Sequence, residues 1–148
     1  MKPMMFSVLL VVAVAGAAEA ACSLSSTAVS FGSYDVFSTS PLDSTGSITY
    51  NCTSGGGTNI TISLNKGGAS TFNPRRMLKG GVALNYNLYR EAARTNIWGD
   101  GTGGTQTYNN PSAPADTNVT VTIYGRIPAQ QDVTAGSYSN SILATANF

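Results

Sequence analysis

VTVTIYGRIPAQQDVTAGSYSNSILATANF, residues Val119 to Phe148, opens with strict alternation. Val119, Val121 and Ile123 point one way, and Thr120, Thr122 and Tyr124 the other, the period of two that a half-buried β-strand requires. Gly125 is expected to end this strand, and Pro128 and Gly136 punctuate the connection RIPAQQDVTAG. The chain then runs extended from Ser137 to Phe148, with Ile142, Ala144, Ala146 and Phe148 on one face. These inward groups are of modest size, so the strand is expected to line a groove rather than fill one. No later strand in the sequence is there to pair with it.

The same period recurs upstream. TAVSF (Thr27 to Phe31) is expected to be a first strand closed by Gly32, and SITYNC (Ser47 to Cys52) a second. Gly55-Gly56-Gly57 turns the chain into NITISL (Asn59 to Leu64), with Ile60, Ile62 and Leu64 inward, and the spacing predicts a hairpin. ALNYNLYR (Ala83 to Arg90) alternates Leu84, Tyr86 and Leu88 against Asn85, Asn87 and Tyr89. Residues 92–117 lose the pattern and are expected to form a long polar connection. No segment carries sustained helical periodicity, and short strands separated by turn signals predict a β-sandwich.

The N-terminus is of another kind. Lys2 precedes an apolar run from Met4 to Ala18, and Ala18-Glu19-Ala20 fits a signal-peptidase site before Ala21. The run is short against the roughly 20 residues that span a bilayer. Residues 1–20 are therefore expected to be a signal peptide, and residues 21–148 one exported domain without membrane insertion. Charged residues make up 10% of the chain, with a formal net charge of +1. No basic patch supports nucleic-acid binding, and low charge removes a common defence against edge-to-edge association. Two cysteines in an exported chain predict one disulfide, Cys22 to Cys52.

Catalytic and cofactor chemistry has little to draw on. The chain has no histidine, so neither a Ser-His-Asp nor a Cys-His arrangement can form, and two distant cysteines make no zinc set. Asp35, Asp43, Glu91, Asp100, Asp116 and Asp132 each lie near a turn or strand end, where a carboxylate serves local hydrogen bonding. Gly99 to Gly104 satisfies GxGxxG, but the Asn- and Pro-rich residues after it cannot start the helix that a pyrophosphate site needs. A turn with positive-φ glycines is expected there. Trp98 beside Arg94 and Tyr89 beside Arg90 could face a ligand, though core capping is favoured. Arg75-Arg76 is expected to be a solvated strand edge. The reading is of a protein that is not an enzyme, with no cofactor and no metal.

Four segments in order carry a resemblance. They are Cys22 with VSFGSYDV (Val29 to Val36), Cys52, LNYNLYRE…IWGDG (Leu84 to Gly101), and YGRIPAQQDVTAGSY (Tyr124 to Tyr138) followed by the terminal strand. Together they resemble the spore coat protein U family, which includes subunits of archaic (Csu-type) chaperone–usher pili. The resemblance implies an incomplete immunoglobulin-like β-sandwich completed by a donor strand from a partner. It also implies a periplasmic chaperone, an outer-membrane usher and other pilus subunits as partners, and a groove along Ile142, Ala144, Ala146 and Phe148. Pilin-type subunits of that family carry an N-terminal donor extension before their first cysteine. Here cleavage before Ala21 leaves one residue ahead of Cys22, and cleavage after Ala17 would leave four, roughly 13 Å of strand. A subunit that accepts a strand but gives none, placed at a fibre tip, is the expectation. The alternatives are a self-standing secreted binding module, with the 92–117 loop as its contact surface, and a spore or cell coat protein.

Overall fold

The computed structural model describes residues 7–15, 21–53 and 58–148. The Ala18-Glu19-Ala20 site and the Gly55-Gly56-Gly57 turn lie outside these residues, as do Met1 to Phe6 of the expected signal peptide. Ten strands and no helix are assigned among the described residues: β1 Ser7–Ala15, β2 Ala21–Thr27, β3 Val29–Ser30, β4 Leu42–Thr53, β5 Thr58–Leu64, β6 Arg75–Lys79, β7 Val82–Tyr89, β8 Tyr108–Ala113, β9 Val119–Ile127 and β10 Ser139–Asn147.

They form the two layers of a sandwich. One sheet runs β2-β4-β9-β7 and is antiparallel throughout. The other sets β8, β5, β10, β1 and β3 side by side, and β6 links β10 to β7. Strand β7 belongs to both layers: Val82 to Tyr86 pair with β6, and Asn87 to Tyr89 pair with β9. The inward sets expected for β5, β7 and β10 all enter one core, where Ile60, Ile62, Leu64, Leu84, Tyr86, Leu88, Ile142, Ala144 and Ala146 are buried. Phe31 meets Tyr86 edge-on, with ring centroids 6.2 Å apart.

Several boundaries differ from expectation, each for a physical reason. Gly125 does not end β9, which continues to Ile127. It is a point of close approach instead, since a Cβ there would lie 2.6 Å from Phe31 Cζ and one on Gly46 would lie 2.8 Å from Val29 Cγ2. The two glycines let β3 settle onto the opposite sheet. The first strand begins at Ala21, not Thr27, and after Ala28 its continuation β3 changes sheets to pair with β1. SITYNC and NITISL do not form a hairpin. β4 pairs with β2 and β9, and β5 pairs with β10 and β8, so the two strands lie in different layers. Part of the long connection is ordered as β8 against β5, with exposed Pro111 in this edge strand, where proline is tolerated.

Cys22 and Cys52 sit directly opposite in the β2–β4 ladder and are bonded, with Cα atoms 4.0 Å apart. The bridge spans 30 positions, and in the chain-entropy model a loop of that size contributes about 3.6 kcal/mol. Replacing both cysteines by serine should lower the urea midpoint by a corresponding fraction of total stability. An unchanged midpoint would show that the bridge constrains nothing.

Candidate functional site

The buried face of β10 and the edge it shares with β1 define the site. Along one edge, β10 meets β5 from Ala144 to Asn147 and β6 at Ser139. Between these, Asn65 brackets Leu143: its backbone N–H donates to the Leu143 carbonyl at 3.0 Å, and its Oδ1 accepts from the Leu143 N–H at 3.0 Å. The other edge is taken by β1, parallel and in register from Ser7↔Ser139 to Ala15↔Asn147. β3 closes the start of β1 through Ser7↔Ser30 and Val8↔Val29, and Ser26 Oγ donates to the Leu10 carbonyl at 3.3 Å.

The fit is one of large groups against small ones. Val8, Leu10 and Val12 turn inward, opposite Asn140, Ile142 and Ala144. Val8 is 1% exposed and Leu10 8%, and Ile142, Ala144 and Ala146 are as deeply covered. Phe148 packs half-buried at the margin of the core. The one polar group on this inner face, Asn140, donates through Nδ2 to Tyr86 Oη at 2.9 Å. Burial pushes the Tyr86 phenol up to about 12, against the opposing influence of Arg75 and Asn140, so it stays protonated and hydrogen-bonded. Neither β1 nor β10 carries a charged residue. A strand taken from this slot would expose a row of β10 backbone groups and an apolar trench.

The other residues singled out by sequence do not assemble into a site. Asp43 receives Arg126 at 2.7 and 2.8 Å and Arg94 at 3.3 Å. The Arg126 hydrogen bond holds its carboxyl below the usual carboxylate range, with partial burial opposing. Asp100 accepts from the Thr102 N–H and hydroxyl, Asp35 from the Phe37 N–H, and Glu91 Oε1 from Thr95 and Asn96. These are local turn roles, as expected. Gly101, Gly103 and Gly104 all take positive φ, making the GxGxxG stretch a turn. Among the described residues no group of three or more side chains could hold a metal.

Trp98 is buried and donates Nε1–H to the Ile62 carbonyl at 2.9 Å. Arg94 lies over Tyr124 instead, and Arg90 over Tyr108. Arg75 corrects the expectation of a solvated edge. It is fully buried, while Arg76 alone faces out. Its guanidinium donates to the Asn65 carbonyl (3.0 Å), Asn87 Oδ1 (2.8 Å) and the Trp98 carbonyl (2.6 Å), and lies over the Phe72 ring. Sequence reading also missed β1 as a strand. Its β-branched valines are the one signal for a strand, since Leu9, Val11 and Ala13 between the inward residues are apolar too, and the same run fits a secretory leader.

The segments behind the resemblance converge. Tyr34 Oη donates to the Pro128 carbonyl and accepts from the Gln131 N–H, both at 2.8 Å, and the Gln131 side chain clasps the Asn85 backbone. The fold is an all-β sandwich similar to that of a chaperone–usher pilus subunit. The chain belongs to the Spore Coat Protein U domain family, whose sequence model matches residues 8–145. It is similar to "Protein U" of Myxococcus xanthus, 30% identical over 145 residues that cover 86% of this chain and 78% of that protein. It shares its fold with a chain of the chaperone–tip adhesion subunit pre-assembly complex from the archaic chaperone–usher Csu pili of Acinetobacter baumannii, at TM-score 0.56 and 22% identity. That match covers 87% of this chain but only 40% of the other.

Proposed function

We propose that this chain is a non-catalytic structural subunit of an exported surface fibre assembled by a chaperone–usher system, and that a partner's strand completes its sandwich along β10. The observation that carries this is the slot itself: an uncharged trench beside β10 whose strand comes from residues 7–15, within the expected leader. Removal of residues 1–20 during export leaves β10 with one edge unpaired. Strand addition then satisfies the main chain, and the trench fixes the side-chain register. The chaperone named with the Acinetobacter subunit suggests the first donor, and usher and neighbouring subunits follow in the same reading. Support for a terminal position comes from β2. It pairs from Ala21 onward, so cleavage before Ala21 leaves no residue outside the domain to serve the next subunit.

The test is a fusion. Residues 21–148, extended after Phe148 by a flexible linker and a donor strand from a partner subunit, should melt on the order of 15 °C above the unfused domain, given the burial of three aliphatic side chains. An unfused domain that is monomeric and equally heat-resistant would mean a sandwich already complete, and the self-standing binding module would be the better reading.

A further inference from the structure

We infer that the leader is itself a ligand of the slot: in the uncleaved chain residues 7–15 act as a tethered plug that keeps a partner's strand out until they are removed. The inference rests on the fibre reading for what the slot receives, but its own evidence is separate. The contact is a full strand, nine consecutive parallel pairs with β10, and it is closed on its far side by β3 and Ser26. Val8, Leu10 and Val12 fill the inner trench, while Val11 on the outer face stays 47% exposed. The residues between them, Leu9, Val11 and Ala13, are apolar too, so the fit to the slot lies in the register with β10 and in the inward packing of Val8, Leu10 and Val12, not in a period written in the sequence.

Tethering decides the competition. Only residues 16–20 separate β1 from β2, and a short covalent link gives an effective concentration in the millimolar range. A free donor strand at micromolar concentration therefore competes at a disadvantage of about a thousandfold for equal intrinsic affinity. Hydrolysis of the Ala20–Ala21 bond consumes one water, leaves a carboxylate on the leader and an amine on Ala21, and ends the tether. The released leader then dilutes, and the slot opens to other strands. Cleavage is thereby an activating step for assembly as well as an export step.

The experiment uses the full chain with cleavage blocked by A20L, since a small residue is needed before the scissile bond. In that background the pair V11C/L143C, opposite in register and both directed outward, should cross-link under mild oxidation, and the offset pair V11C/T145C should not. Equal yields from both pairs would overturn the inference. The second readout is a labelled probe peptide, SVLLVVAVA flanked by lysines. The A20L chain should exclude it by 100-fold or more relative to A20L/L10D, whose leader cannot seat. Equal binding to both would overturn the plug. If the donor fusion above is stabilised while the cross-link fails, the fibre reading stands and this inference falls.

Discussion

Ile142→Asp should leave the protein unable to fold or to take up a completing strand, whereas Leu143→Asp, one residue on, should be tolerated within about 1 kcal/mol. The contrast follows from the pleat. Ile142 is fully buried opposite Leu10, close to Gly67, where even a methyl group would lie 2.5 Å from Ile142 Cδ1. Loss of the aliphatic group costs about 2–5 kcal/mol, and an uncompensated buried carboxylate adds several more. That sum rivals the 5–15 kcal/mol by which a whole domain is stable. Leu143 faces outward and is only partly covered. Ala146→Asp should behave like Ile142→Asp, since Ala146 lies on the same inner row at 1% exposure. Soluble yield and thermal melts of the three variants check the pattern. Similar losses at Ile142 and Leu143 would mean that β10 is not read through one face.

Arg75→Met should destabilise the domain by about 2–4 kcal/mol, although methionine is the more usual core residue. The replacement leaves the Asn65 and Trp98 carbonyls without the donors that now reach them, while Asn87 Oδ1 keeps only the Leu88 N–H, at about 1–3 kcal/mol for each acceptor left unpaired. Arg75→Lys should not restore stability, because one ammonium cannot reproduce a fork that points at three acceptors at once. Burial lowers the Arg75 pKa to about 10, with Tyr86 and Asp100 opposing, so the group remains cationic at neutral pH. Arg76→Met, on the exposed face of the same strand, should change stability by less than about 0.5 kcal/mol. Urea midpoints of the three variants test this. A neutral Arg75→Met would mean that the acceptors find other donors.

These two residues also mark what the chain reveals before it folds. The rows through Ile142, Leu84 and Ile60 were legible because a strand with one buried face writes its period directly into the sequence. The exposed Asx-type roles of Asp35 and Asp100 were legible for the same local reason. Arg75 was not, because nothing local separates it from Arg76. Only the arrival of Asn65, Asn87 and Trp98 from other segments turns one arginine into a core group. The mistaken hairpin between SITYNC and NITISL has a similar cause, since a glycine turn sets where the chain reverses, not which strand is met afterwards. Strand β8 was hidden by Pro111 and its asparagines, and β5 supplies the pairing that propensity denies. For the slot, the β10 row was readable, yet β1 beside it was expected only as a leader, because a run apolar at every position carries no period that marks a strand.

The sharing of β7 between the layers has a mechanical consequence. Its partner changes between Tyr86 and Asn87, and Asn87 Oδ1 is where the Arg75 guanidinium docks. The strand works as a common spine. Neither layer can peel away without pulling on the same eight residues, Val82–Tyr89. Tension applied to one layer is passed to the other through continuous covalent chain, not only through side chains that could slide. The two layers are therefore expected to unfold together, not one after the other.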